Sequence, residues 1–189
     1  MYFLILFITA FLLIFLLATN WPIKFYHYYF LKKLARLYET TPVRFGLLLS
    51  SVFSEITILN NSNPIRVRFL ESSVDSLNKA NSGLELRRPY PTPIILEFYH
   101  SRLSKQQWGD FKRFLTGNNL IDSKWVVLTP DPVRAEEFWQ IKQNVFEPIL
   151  NNPLIEQILF SKDEMIIRFR HLITVSMVQT VVELLMKMN

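Results

Sequence analysis

The stretch from Tyr2 to Ala18 reads YFLILFITAFLLIFLLA, without a charge or an amide and with one aliphatic hydroxyl, that of Thr9. Only a helix lets such a run satisfy its own backbone hydrogen bonds in an apolar setting. Extended into the residues that follow, it reaches about 20 apolar residues, which at roughly 1.5 Å each matches a hydrocarbon core of about 30 Å. The sequence therefore predicts a transmembrane anchor over residues 1–20. A cleaved signal peptide is the competing reading, but it calls for a positive segment before a shorter apolar core, and no Lys or Arg precedes this one.

The residues after the run support the same expectation. Trp21, Phe25, Tyr26, Tyr28 and Tyr29 are rings of the kind that settle at headgroup level, and Lys24, Lys32, Lys33 and Arg36 bias the cytoplasmic flank. Together Trp21, Lys24, Tyr26, Tyr28, Tyr29, Lys32, Lys33 and Arg36 form the expected membrane interface, in contact with the lipid bilayer. The expected topology is single-pass, N-terminus out, with the remaining domain on the cytoplasmic or mitochondrial matrix side. Ile23, Tyr26, Phe30, Leu34 and Leu37 recur at helical spacing, so residues 21–42 read as an amphipathic juxtamembrane helix closed by Thr40-Thr41-Pro42.

Residues 43–189 read as a single α+β domain: a small mixed sheet of two hairpins plus central strands, packed with helices. Ile65-Arg66-Val67-Arg68-Phe69 alternates strictly and predicts a strand with its apolar side chains inward, paired across Asn60–Pro64 with a strand over residues 54–59. From about Ser72 to Pro93 the chain is rich in Asn, Ser and Pro and reads as a long surface loop. Residues 94–99 are nearly all apolar and predict a strand covered on both faces. Ser104 to Gly117 reads as a helix, and residues 124–129 as another strand. Asp131-Pro132 is an N-cap followed by a first-turn proline, opening a helix with Ala135, Phe138, Trp139, Ile141, Val145, Phe146 and Ile149 inward and Pro148 near its end. A second hairpin occupies residues 155–170, and Thr174–Met188 is helical. IRVRF at 65 and IIRFR at 166 echo each other as second limbs of hairpins, too briefly to establish a duplication.

Composition narrows function mainly by exclusion. With no Cys, thiolate metal sites, disulfides and cysteine nucleophiles are absent together, and four Gly leave little material for phosphate-cradling loops. The formal charge of +5 is accounted for by the cations at 24–36, leaving the rest near neutral. His27, His100 and His171 have no ligand-like spacing, and no nucleophile elbow, zinc helix, Walker loop or dinucleotide fingerprint occurs. No metal, cofactor or nucleic-acid partner is expected.

Arg66, Arg68, Arg168 and Arg170 carry the sharpest positional signal. If their strands neighbour one another, they form one sheet face for an anionic partner, against the plainer expectation that they are solvated or paired with Glu. The function expected is a membrane-anchored accessory or assembly subunit binding partner proteins of a larger membrane complex. The alternative is an anchored enzyme acting on a lipid or small molecule, with Glu97, Tyr99 and His100 as the place to look.

Overall fold

The computed structural model describes residues 2–18, 21–40, 55–59, 63–70, 83–101, 109–169 and 173–188. In chain order the elements are α1 (Tyr2–Ala18), α2 (Trp21–Leu37), β1 (Glu55–Ile58), β2 (Ile65–Phe69), β3 (Leu84–Pro89), β4 (Leu96–His100) and β5 (Lys112–Phe114). They continue with α3 (Asn119–Lys124), β6 (Trp125–Thr129), α4 (Pro132–Leu150), β7 (Ile155–Phe160), β8 (Glu164–Phe169) and α5 (Val175–Lys187). The strands form one eight-stranded sheet in the order β1-β2-β3-β8-β7-β4-β6-β5. Every pairing is antiparallel, so the fold is α+β as expected but the sheet is larger than expected and not mixed.

One row of side chains crosses the whole sheet. Ile56, Val67, Leu86, Ile167, Ile158, Phe98, Val127 and Phe114 face one another in register, one from each strand, and all are buried. Since partners in an antiparallel pair point to the same side, this row defines the core face. Helices cover it: α2 contributes Phe30, Leu31, Leu34 and Ala35, α5 contributes Val178, Val181, Val182 and Leu185, and α4 contributes Trp139, Phe146, Ile149 and Leu150. Phe98, Phe146 and Phe160 meet edge to face or tilted under α4, with Phe138 beside them.

The membrane expectations are overturned. α1 ends at Ala18, after 17 residues or roughly 25 Å of helix, against the about 30 Å of a hydrocarbon core. Among the described residues no helix is long and apolar enough to cross a membrane. The sequence count reached about 20 by including residues 19 and 20, which lie outside the described residues, and a second helix is described from Trp21. With the anchor go the single-pass topology, the N-terminus-out orientation and the assignment of the domain to a cytoplasmic or matrix face, because all three were inferred from a span.

Helix α2 belongs to the fold. Leu31 and Leu34 are wholly buried, while Leu37, expected inward, is half exposed, so the buried stripe is rotated by about one residue from the expected one. His27 stacks on Phe69 with centroids 3.7 Å apart, and Phe30 meets the same ring edge-on at 5.4 Å. Burial pulls the His27 imidazole down to about 4, so it is neutral in this stack at physiological pH.

Other expectations need revision. The stretch read as a long loop contains β3, which lies inside the sheet between β2 and β8. It is entered through Gly83, where a Cβ would stand 2.5 Å from the Phe169 carbonyl oxygen, so the close approach of the two strands requires glycine. Residues 109–117, read as helix, are not helical, and 112–114 form β5 at the sheet edge; residues 104–108 of that expected helix lie outside the described residues. Ile141 and Val145 of α4 are exposed rather than buried. The Asp131 cap is as expected, its carboxylate accepting from the Arg134 amide at 3.2 Å.

Integration of α2 is testable by urea unfolding. Leu34→Ala should cost about 2–5 kcal/mol, as large-to-small changes in packed cores do, with Leu37→Ala within about 0.5 kcal/mol of the parent. Equal small effects would show that α2 rests loosely on the sheet.

Candidate interaction surfaces

On the face opposite the core row, a charged ladder crosses the strands. Glu55, Arg68, Glu85, Arg168 and Gln157 stand side by side on β1, β2, β3, β8 and β7. Glu85 is fully buried and sits between two arginines whose strands are the IRVRF and IIRFR echoes. Arg68 approaches its carboxylate at 2.8 Å, Arg168 at 3.0 Å and Arg87, two residues on along β3, at 2.5 Å. Arg168 also donates to the Gln157 side-chain oxygen at 2.9 Å, and Arg87 reaches Glu164 at 3.4 Å. Burial alone would push the Glu85 carboxyl up, but the hydrogen bonds and charges of Arg87, Arg168 and Arg68 outweigh it and hold the carboxyl below its ordinary value.

The expected arginine face is thus assembled for Arg66, Arg68 and Arg168, while Arg170 lies outside the described residues. Its chemistry is mostly internal. Three guanidinium groups are directed at one carboxylate, and each of their side chains keeps about a third of its surface exposed. Arg66 is exposed, directly across from Arg87, and makes no ion pair among the described residues. The sequence offers Arg87-Arg88 as a possible phosphate contact in a loop and gives no sign of Glu85 as the partner of Arg87, because the strand reads as loop; the alternation Leu84-Glu85-Leu86-Arg87 is the available signal.

Next along β3, Arg88 turns to the core side, where it is buried and its guanidinium donates to the Leu185 and Met188 carbonyls at the C-terminal end of α5. It satisfies acceptors that a helix end leaves open and opposes the negative end of the helix dipole.

The carboxylate, phenol and imidazole singled out at the end of β4 are not brought together. Glu97 and Tyr99 share the outer face, the phenol donating to the carboxylate at 2.5 Å, and burial followed by Glu97 pushes the Tyr99 hydroxyl up to about 12. His100 lies on the core side, edge-on to Trp125 at 5.7 Å. Among the described residues no group of three or more His, Asp or Glu is placed to hold a metal ion.

Of the residues expected at a membrane interface, several converge elsewhere. A groove of about 560 Å³ runs between α2 and the approach to α5, lined by Tyr26, Tyr29, Lys32, Lys33 and Arg36 on the α2 side. Tyr26 crosses it to donate to the Ile173 carbonyl at 2.9 Å. Tyr28 lies outside this lining, its ring 5.5 Å from the Lys32 ammonium, and the side chains of Trp21 and Lys24 lie outside what is described. A third surface is α1 itself, every residue of which from Tyr2 to Ile14 is exposed.

No family model and no curated protein matches the chain. Among solved structures it is similar to the mycobacterial trehalose monomycolate transport factor A, TtfA, with a TM-score of 0.53 over 82% of this chain and 91% of that one. Identity is 9%, so the likeness is one of fold alone.

The ladder has a pH signature. A carboxyl whose folded pKa lies below its unfolded value of about 4.3 stabilises the fold above that pH, and the contribution is lost as pH falls through the folded value. Glu85→Gln should cost roughly 3 kcal/mol at pH 7, since it leaves three cations without their shared partner. The loss should shrink as pH drops below about 4.5. Chemical denaturation at pH 7 and pH 3 checks this; a deficit independent of pH would remove Glu85 from the account of acid stability.

Proposed function

We propose that this chain is an accessory or assembly subunit that binds partner proteins of a larger complex, with α1 as its docking element. The exposure of α1 carries the reading. A helix that is apolar all round is stable only when buried on all sides, and contiguous exposed apolar surface beyond a few hundred Å² marks an interaction site. Phe3, Leu6, Phe7, Phe11 and Ile14 are each more than 60% exposed, on several sides of the helix. The occupant that fits is an apolar groove between helices or strands of another protein. No charge or amide of α1 would be left unpaired there, and the sheet domain would remain outside the groove with its arginine ladder and basic groove open.

The neighbour of similar fold supports the same direction, being named as a factor for transport rather than for a reaction. The enzyme alternative lacks comparable support, since Glu97 and Tyr99 engage each other and His100 is on the other side of the sheet. 

Purification of the full chain in mild detergent, alongside a Leu6→Glu, Leu13→Glu variant, tests the proposal. A defined protein should accompany the parent in fixed stoichiometry and be lost at least tenfold from the variant, with the circular dichroism of the sheet domain unchanged. A parent that emerges as a solitary monomer, or a partner retained by the variant, would count against α1 as the docking element.

A further inference from the structure

The groove between α2 and α5 has a polarity along its length. Tyr26, Tyr29 and Phe30 line one end, and Lys33 and Arg36 lie one to two turns further along the same helix, about 15 Å from Tyr26 to Arg36 at 1.5 Å per residue. Ile173 and Val175 close the opposite wall. Phe30 and Ile173 are buried at its floor, whereas Lys33 and Arg36 are exposed at its rim and Lys32 is half-buried between them. Among the described residues no carboxylate lines the groove and none of the three cations makes an ion pair.

We infer that this groove is a binding site for a single-chain anionic amphiphile, its carboxylate or phosphate head held by Lys32, Lys33 and Arg36 and its hydrocarbon chain laid over Tyr29, Phe30 and Ile173. Two physical points select this ligand class. The charge is one-sided, and the wall opposite the cations adds the same sign: α5 begins at Val175, its N-cap Thr174 makes no side-chain capping bond, and both residues line the groove, so the positive end of the helix dipole lies at that wall. The apolar end offers few partners to a peptide backbone, because the Tyr26 hydroxyl is already committed to the Ile173 carbonyl and Tyr29 adds a single further hydroxyl. A peptide laid there would bury amides without partners, while a hydrocarbon chain has none to satisfy. The volume falls in the range of small-molecule sites. This inference does not rest on the docking role of α1, which lies outside the lining of the groove.

Titration calorimetry of the full chain with dodecanoate, below its micelle concentration, tests the site. Dodecyltrimethylammonium controls for the tail, acetate for the head, and a glutamate-rich peptide for the rival occupant. Dodecanoate should bind at one site per chain, at least tenfold tighter than the other three, and more weakly as salt is raised. Lys33→Glu with Arg36→Glu should abolish that binding, Lys33→Arg should retain it, and the Leu6→Glu, Leu13→Glu variant should bind as the parent does. Binding that is lost with the α1 variant would assign the tail to α1. Equal binding of the cationic amphiphile, tighter binding of the acidic peptide, or survival in the charge-reversed variant would each overturn the inference.

Discussion

The sheet depends on a buried carboxylate on β3. The strands β1, β2 and β3 come from the first half of the chain, and within the sheet they join the remaining strands where β3 pairs with β8. That junction joins residues about eighty apart in sequence, and backbone hydrogen bonds there would be the same for many registers. Glu85 discriminates between registers, because its side chain is directly opposite Arg68 on one side and Arg168 on the other. Slipping either strand by one residue would bury the carboxylate against apolar side chains and turn the arginines inward. Its pairing therefore fixes the register that puts the eight-residue apolar row under the helices. Arg88 extends the same strand's reach by holding the end of α5, so β3 positions both the sheet and one of its covering helices.

Much of this was legible in the residues themselves. IRVRF alternates because one face of β2 is core and the other is the ladder; Asp131-Pro132 opens α4; and Val178, Val181, Val182 and Leu185 form the buried stripe of α5. What was hidden had physical causes. β3 reads as polar because Glu85 and Arg87 face the ladder and Arg88, though on the core side, is there to cap a helix. An ion-pair network and a loop look alike in composition. Ile141 and Val145 misled because apolar residues recur at helical spacing on α4 beyond the width of its contact with the sheet. Hydropathy runs on through residue 20, whereas α1 is described to Ala18 and α2 from Trp21.

The candidate site was half legible. Arg66, Arg68 and Arg168 do share a face, but the sequence did not show that a single glutamate engages the three guanidinium groups of Arg68, Arg87 and Arg168, which turns much of a face expected to meet an anionic partner into internal scaffolding. Conversely, the cations at 32, 33 and 36 looked like a flank of a span, and their value lies in framing a groove with aromatic walls. Both revisions follow from partners distant in sequence, Glu85 in the first case and Ile173 in the second. Chemistry made by such pairs is invisible to spacing rules.

Three features stand apart on the molecule: the sheet domain with its arginine ladder, a basic groove beside α2 and the exposed apolar helix α1. The central claim is that α1 is incomplete by itself and is completed by another protein. Hydrogen exchange by mass spectrometry on residues 2–18, in the isolated full chain and in its recovered assembly, measures this directly. The account predicts that these amides exchange fastest among the helices of the isolated chain and become as protected as those of α5 in the assembly. Slow exchange in the isolated monomer, or fast exchange that persists in the assembly, would contradict it.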